Sequence, residues 1–256
     1  MAVLASEAVL LRTWPLAEAD LIVSLFTRDF GRLKGTAKAA LKSRKRFGGA
    51  LEPMTVARVW FADRPGQELA RLDQMEVTRS PLADRVDAAR MAVLSFYAEV
   101  LDEALPERDP QETVFRLLIS VLEHTRAVES DAGSDLAQPW MAMTYFSLWM
   151  TRLMGLLPDI GECTSCSEPL RAGEVWFSRY SDGLFCSLHR NGSGGALSAD
   201  SWLLAQRMLR APAAAFAGEA WPRRRAQDLR RFAVQSIERH LERRLRTWQV
   251  LERLAG

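Results

Sequence analysis

The chain of 256 residues has 48% hydrophobic and 26% charged residues, which is ordinary for a soluble globular protein of one large or several small domains. Its three cysteines are too few for a disulfide framework, and no secretory leader or membrane-spanning run is visible, so we expect a reducing cytoplasm and no membrane partner. The net charge of +2 hides an uneven distribution, because residues 31–49 hold seven basic residues and no acid, whereas residues 99–135 hold ten acids and three arginines. Residues 223–253 are basic again, and the two basic stretches predict a surface for a polyanion.

The first eighty residues contain short apolar runs separated by turn residues. The runs at 7–13, 21–27, 54–62 and 68–78, with a turn feeding a further strand near 30–35, predict about five strands, which is enough for a small barrel. The glycine, serine and lysine content of residues 31–49 predicts a mobile loop within this barrel.

From residue 81 onward the apolar residues recur at helical spacing. This spacing predicts helices near 82–105, 111–128, 140–157, 198–210 and 223–254, with a loop at 130–135. The helix at 140–157 is apolar nearly all round, so we expect it to be buried at the centre of the helical part. The predicted fold class is therefore α+β. A barrel domain covers 1–80, an α-helical domain covers 81–157 and 196–256, and an insert lies at 158–195.

All three cysteines lie within the insert, as Cys163-x2-Cys166 followed nineteen residues later by Cys186-x2-His189. Two close pairs of sulfur and nitrogen donors are typical of a tetrahedral zinc site, with His189 as the fourth ligand. Four protein ligands would fill the coordination sphere, so the zinc would be structural. Two alternatives remain open: the first pair is a thiol–disulfide redox motif, or three structural cysteines lie close together by chance.

The basic stretch at 31–49 predicts contacts to phosphates. If all its basic residues contacted single-stranded nucleic acid, a plot of the logarithm of the binding constant against the logarithm of salt concentration would have a slope of up to roughly −5. Phe30, Phe47, Trp60 and Phe61 are candidate stacking partners, and the alternative is a solvated loop beside buried aromatics. The candidate DNA-binding residues are Arg32, Lys34, Lys38, Lys42, Arg44, Lys45 and Arg46.

A second candidate surface lies at the start of the helix predicted at 223–254. Its arginines have only Asp228 as an acidic neighbour in sequence, whereas the arginines further along alternate with glutamates as on a solvated helix face. The candidates for a partner or DNA surface are Arg223, Arg224, Arg225, Arg230 and Arg231.

Motifs for catalysis are missing. The sequence has no G-x-x-x-x-G-K-[ST] loop, no G-x-G-x-x-G, no H-E-x-x-H and no G-x-S-x-G. We therefore expect a binding protein without catalytic residues rather than an enzyme.

Residues 18–55 carry a resemblance to a known family. The elements are "LFT" at 25–27, Gly31-Arg32, "AK" at 37–38, the basic run and "GALEP" at 49–53. The order of the later segments agrees over essentially the full chain, with a cysteine insert after "RLMGLLPDI" and a basic C-terminal helix that begins "LRRF". On these grounds the chain resembles the RecO family of bacterial DNA repair proteins.

The resemblance implies an OB-fold barrel joined to an α-helical domain with a zinc-binding insert. It also implies a recombination mediator that binds single- and double-stranded DNA, anneals complementary strands and acts in the cytoplasm at the nucleoid. The implied partners are RecR, single-stranded-DNA-binding protein and, indirectly, RecA. Zinc-bearing relatives have cysteine at the position of His189, and some relatives lack the metal site.

A function of another class fits the same features. A zinc ribbon beside basic stretches is also typical of RNA-binding or transcription-associated proteins, and a CxxC pair occurs in thiol oxidoreductases. Comparing strand annealing with RNA binding distinguishes a DNA repair protein from an RNA-binding one. A thiol titration with and without chelator distinguishes a metal site from a thiol oxidoreductase.

Overall fold

A computed structural model describes residues 3–63, 66–81, 87–125, 138–157, 159–190 and 194–253. The chain divides into two units, residues 1–116 and 117–256. The domain boundaries expected from the sequence were placed where composition and apolar spacing change along the chain. The two units are a different division, so those boundaries stay a prediction. None of the helices within the described ranges has the length and apolar character needed to cross a membrane.

Five strands of the first unit close into a barrel, as predicted. The elements are β1 (Leu4–Pro15), β2 (Leu21–Thr27), β3 (Gly31–Ala37), α1 (Arg44–Phe47), β4 (Val56–Ala62) and β5 (Ala70–Arg79). The order around the barrel is β1-β2-β3-β5-β4, and every neighbouring pair is antiparallel except β3 and β5. A five-stranded barrel of this kind is OB-like. The parallel seam between β3 and β5 is short, with residues 35–37 opposite 70–72.

Side chains alternate between the inside and the outside of the barrel. In β3, Leu33 and Ala37 belong to the buried core, whereas Arg32, Lys34 and Thr36 face outward. The alternation explains how a stretch so rich in basic residues can also form a core strand.

The prediction of a mobile loop at 31–49 is therefore wrong. The stretch contains β3, a turn and α1, and Ala40, Phe47 and Ala50 are buried in the barrel core. Apolar residues between the basic ones anchor the segment, because burying Phe47 removes a large aromatic surface from water. The basic side chains occupy the positions between these anchors.

Within the same unit, α2 (Ala88–Ala104) packs against β1 and β2, and the residues after it run along β3, where the Arg108 amide donates to the Arg32 carbonyl at 2.8 Å. This is the helix predicted at 82–105, of which residues 82–86 lie outside the described ranges. Near the end of α2, Asp102 accepts a hydrogen bond of 2.6 Å from the Ser24 hydroxyl of β2. Its carboxylate oxygens also lie 3.4 Å from Arg12 Nε and 3.8 Å from Arg32 Nη1. One carboxylate thus connects α2 to three strands of the barrel.

The next helix, α3 (Glu112–Thr125), begins in the first unit and continues into the second. Phe115 packs edge-on against Phe26 of β2, with ring centroids 5.4 Å apart. The chain before α3 runs close to Gly31, which has φ +67° and where a Cβ atom would lie 2.2 Å from the Asp109 carbonyl oxygen. The predicted end of this helix at 126–128 and the predicted loop at 130–135 lie outside the described residues.

The second unit is mainly helical. Its further elements are α4 (Gln138–Leu153), β6 (Val175–Phe177), β7 (Gly195–Leu197), α5 (Ala199–Met208), α6 (Gln227–His240) and α7 (Arg246–Arg253). The expected central helix is confirmed as α4, which is buried along most of its length and packs against α6. Its larger aromatic side chains keep polar contacts, since Tyr145 Oη and Trp149 Nε1 each donate 3.1 Å hydrogen bonds, to the carbonyls of Ala211 and Met208.

The single helix predicted at 223–254 is wrong, because the chain breaks between α6 and α7. Glu242 adopts a left-handed conformation with φ +52°. Glu238 accepts a 2.8 Å hydrogen bond from the Leu245 amide through its side chain, and this contact spans the break before α7 begins.

Asp102→Asn should lower the free energy of unfolding by about 1–3 kcal/mol, because Arg12 and Arg32 lose their shared carboxylate. Urea unfolding measures this loss. Glu103→Gln is the matched control, since Glu103 is more exposed and lies 3.6 Å from Arg12; we expect a change below about 1 kcal/mol there. Equal losses in the two variants would contradict the role given to Asp102.

Candidate functional site

Two of the predicted DNA-binding residues are held in ion pairs within the first unit. Arg32, whose side chain is only 12% exposed, donates from Nε to the Leu105 carbonyl at 2.9 Å and lies 3.2 Å from a Glu107 oxygen. Lys34 Nζ lies 3.2 Å from the same oxygen of Glu107. These side chains belong to the outer face of β2 and β3, the face through which OB folds bind oligonucleotides. Here that face is occupied by α2 and the residues after it.

The other five predicted DNA-binding residues form what we call the basic segment, between β3 and β4. It consists of Lys38, Lys42, Arg44, Lys45 and Arg46. Four of them are exposed, and the nearest acid to Lys42 is Glu18 at 3.5 Å, in a pair whose side chains are 68% and 92% exposed. Such an exposed pair contributes little and leaves the lysine available to a ligand.

Arg46 is half-buried and shapes the basic segment. Its guanidinium donates to the Ser43 hydroxyl at 3.1 Å and to the Lys38 carbonyl at 2.6 Å, and it lies 5.0 Å from the centre of the Phe47 ring. Since Phe47 is part of the barrel core, these contacts tie the segment to the fold.

The candidate stacking residues separate into core and surface. Phe47 and Phe61 are buried, and Phe30 packs edge-on against Phe61 at 5.4 Å. Trp60 alone of the four lies on the outer face of β4, half-exposed, with the Arg58 guanidinium 5.7 Å from its ring centre. Buried rings cannot stack on bases, so Phe47 and Phe61 lose this role, whereas Trp60 and the partly buried Phe30 keep it.

The four predicted metal ligands come together in the insert. Their ligand atoms lie within 4.8 Å of one another. Cys186 Sγ is 3.3 Å and Cys163 Sγ is 3.8 Å from His189 Nδ1, and the sulfurs of Cys166 and Cys186 are 4.0 Å apart. A tetrahedral zinc ion needs about 3.8 Å between two sulfurs and about 3.6 Å between sulfur and nitrogen. The donor set and its spacing therefore fit a tetrahedral metal ion.

Two tight turns bring the ligands together. In the first, the Ser167 amide donates to the Cys163 carbonyl at 2.8 Å, with Ser167 in a left-handed conformation. In the second, the His189 amide donates to the Cys186 carbonyl at 3.1 Å. An x2 spacing folds in this way because each turn places its first and last side chains on one side.

A hairpin brings the second pair of ligands over the first. Trp176 of β6 exchanges backbone hydrogen bonds of 2.9 and 2.8 Å with Phe185. At the approach to Cys186, Gly183 has φ +83°, and a Cβ atom there would lie 2.0 Å from Thr164 Oγ1. Only glycine allows the two ligand loops to lie this close.

The surroundings of Cys163 favour the thiolate form of its sulfur. Burial raises the pKa of the Cys163 thiol, but hydrogen bonds from the backbone N–H groups of Cys186, Ser165 and Cys166 outweigh it and lower the pKa to about 6. For Cys166, a hydrogen bond from the Glu168 N–H lowers the pKa, while burial and the neighbouring sulfurs raise it, and the result is a raised pKa. Cys163 thus favours the thiolate, which is the form that binds metals.

The five arginines of the second candidate surface do not share one environment. Arg225 forms an ion pair with Glu219 and lies 4.3 Å from the centre of the Trp221 ring. Arg224 and Arg231 are exposed, Arg223 is half-buried, and Arg230 is buried with 2% exposure.

Sequence reasoning missed the burial of Arg230. It lies four residues before Val234 and seven before Ile237, both fully buried on α6, so helical spacing places it on the apolar face. Its Nη1 donates to the Thr144 hydroxyl of α4 at 2.9 Å and to the Arg225 carbonyl at 2.8 Å, and Nη2 donates to the Arg223 carbonyl. The helical spacing of Arg230 therefore predicted a buried position, but its charge led to the prediction of an exposed one.

Comparison with known proteins gives one family along nearly the whole chain. The family model described as Recombination protein O N terminal matches residues 1–81, and that of Recombination protein O C terminal matches residues 85–249. The chain is 48% identical to the DNA repair protein RecO of Koribacter versatilis over 249 residues, covering 97% of this chain and 98% of that protein. It is 31% identical to the DNA repair protein RecO of Anaeromyxobacter sp. strain K, covering 96% and 94%, and 30% identical to that of Pelotomaculum thermopropionicum, covering 97% and 93%.

Proposed function

Since the chain belongs to the RecO family of DNA repair proteins, which work in recombinational repair, we propose that it is a recombination mediator that binds single- and double-stranded DNA and anneals complementary strands. The observation that carries this proposal is the exposed basic segment on an OB-like barrel. Arg32 and Lys34 are held by acids of their own unit, so the basic segment is the part of the predicted DNA site that remains available.

Annealing follows from charge neutralisation. Two complementary strands repel each other through their phosphates, and cationic side chains that replace the counterions reduce this repulsion. Binding and exchange of strands suffice for such a function, so we propose no catalytic residues and no enzymatic activity.

The proposed partners act on the same strands. The protein would work with RecR to load RecA onto single strands coated with single-stranded-DNA-binding protein, in the cytoplasm at the nucleoid. An acidic tail of the coating protein would need a cationic, partly apolar surface. The arginines of residues 223–231 are candidates for its rim, and a nucleic acid strand competes for the same place.

The Cys3His cluster would hold a structural zinc ion. Three sulfurs and one nitrogen fill a tetrahedral coordination sphere and leave no open position for a reaction. The ion would contribute to folding of the insert on the order of 10 kcal/mol.

The proposed function is tested with complementary single strands coated with single-stranded-DNA-binding protein. We expect the protein to accelerate their annealing severalfold without nucleotide hydrolysis, because neutralised strands approach each other more often. Fluorescence energy transfer between labelled strands measures the rate. Failure to anneal DNA, combined with tight binding of RNA, would overturn the proposal in favour of the RNA-binding alternative.

Replacing Lys42, Arg44 and Lys45 by alanine should weaken binding to oligothymidylate and reduce the salt slope by about 2, because each phosphate that a cation neutralises adds about 0.7 to the slope. Fluorescence anisotropy over a salt series measures the slope. A variant with alanine at Arg171, Arg210 and Arg253, which are exposed in the second unit, removes the same charge and should keep the slope. An unchanged slope in the first variant would exclude the basic segment.

The purified protein should contain about one zinc ion per chain, and His189→Ala should lose most of it because one of four ligands is removed. His189→Cys should retain the metal, since thiolate also suits zinc. Elemental analysis and thermal unfolding measure both effects, with His240→Ala on α6 as the control that keeps the metal. Well under one zinc ion per chain in protein purified without chelator would refute the assignment.

A further inference from the structure

Two guanidinium groups lie against one indole ring in the second unit. Arg223 Cζ is 5.0 Å and Arg230 Cζ is 5.4 Å from the centre of the Trp140 ring. All three residues line a cavity of about 180 Å³ formed by α4, the start of α6 and α7, and Trp248 of α7 is part of its wall. The ring orders the two cations without neutralising them.

Within the described residues, neither arginine has a carboxylate oxygen at ion-pair distance. Arg230 donates to Thr144 and to the carbonyls of Arg225 and Arg223, and Arg223 Nη2 donates to the Leu251 carbonyl at 2.6 Å. These partners are neutral and leave the charge of both guanidinium groups uncompensated.

The titration of the two arginines agrees with this excess of charge. Burial, and next the charge of Arg223, lower the pKa of Arg230 to about 10, and Asp228 offsets this only from beyond ion-pair distance. Burial also lowers the pKa of Arg223. Both groups stay charged at neutral pH, so an anion in the cavity would relieve their repulsion.

The cavity continues into a larger groove of about 700 Å³, with which it shares Arg231, Trp248 and Glu252. Five arginines and three glutamates line this groove. One of the arginines, Arg239, is paired with Asp182 outside it. A half-exposed indole ring thus lies between a cationic cavity and a cationic groove.

The geometry points to a phosphate site for a single nucleic acid strand, with one phosphate group in the cavity beside Arg223, Arg230 and Arg231 and a base against Trp248. Guanidinium groups match phosphate oxygens in geometry, and an indole stacks on any base. This inference rests on the proposed function and deepens it, because the basic segment and this cleft would give the chain two separate places for strands.

A phosphate group fits the cavity better than a peptide carboxylate. The cavity presents three arginines against one glutamate, and a phosphate diester or dianion uses more donors than a single carboxylate does. The groove past Trp248 has more arginines than glutamates in its lining and gives the strand a place to continue beyond the cavity. An acidic peptide in the same cleft is the competing outcome of the test.

The first experiment uses inorganic phosphate and needs no DNA. At constant ionic strength, exchanging chloride for phosphate should raise the melting temperature of the wild-type protein. Arg231→Ala should weaken the apparent phosphate affinity about tenfold, as expected for one charge-assisted contact. Arg231 is exposed, so this variant keeps the fold; Arg210→Ala, an exposed arginine outside the cleft, should retain the wild-type response. No stabilisation by phosphate, or stabilisation only by an acidic peptide, would overturn the phosphate site.

The second experiment identifies the strand. A short oligodeoxynucleotide containing 5-bromouracil is cross-linked by light and mapped by mass spectrometry. We expect a cross-link at Trp248 that survives in the variant with alanine at Lys42, Arg44 and Lys45, and that is lost with Arg231→Ala. Stabilisation by free phosphate without this cross-link would overturn the strand as ligand. A protein that binds strands through the basic segment alone would refute the cleft and leave the proposed function intact, whereas a protein that binds no strand at all would refute the proposed function.

Discussion

The carboxylate of Asp102 is the contact on which the first unit depends. It accepts a hydrogen bond from Ser24 and pairs with Arg12 and Arg32, so one group at the end of α2 connects three strands of the barrel. With a side-chain exposure of 7%, it lies in a medium where such pairs are stronger than at the surface. Because these contacts hold α2 and the residues after it against the barrel, they also decide which face of the barrel a ligand can reach.

This arrangement divides the basic residues into two kinds. Arg32 and Lys34 pair with acids of the same unit, Asp102 and Glu107, and their charges support the fold. The basic segment has no comparable set of acids within the described residues, and its side chains extend from a stretch that Phe47 anchors. Net charge alone does not distinguish the two kinds, since the difference arises from whether a counter-charge comes from the same unit.

Much of the fold follows from local pattern. Alternation predicted the strands, helical spacing predicted α4, and the x2 spacings predicted the cluster of Cys163, Cys166, Cys186 and His189. Contacts between distant residues could not be predicted in this way. The partners of Arg32 and Lys34 lie about seventy residues further along, and the end of α6 depends on the Glu238 side chain reaching the Leu245 amide. The basic charge of residues 31–49 also obscured the alternation in β3.

The short parallel seam between β3 and β5 has a consequence for how the barrel opens and closes. Only residues 35–37 and 70–72 join these strands, and more than thirty residues of chain lie between the two segments. Closing the barrel here therefore costs the conformational entropy of a long loop and gains few hydrogen bonds. Amide protons along such a seam exchange with solvent at a lower cost than those of the longer β1–β2 ladder. The chain leaves this seam directly into the basic segment, so we expect the barrel to open most readily beside its most cationic stretch.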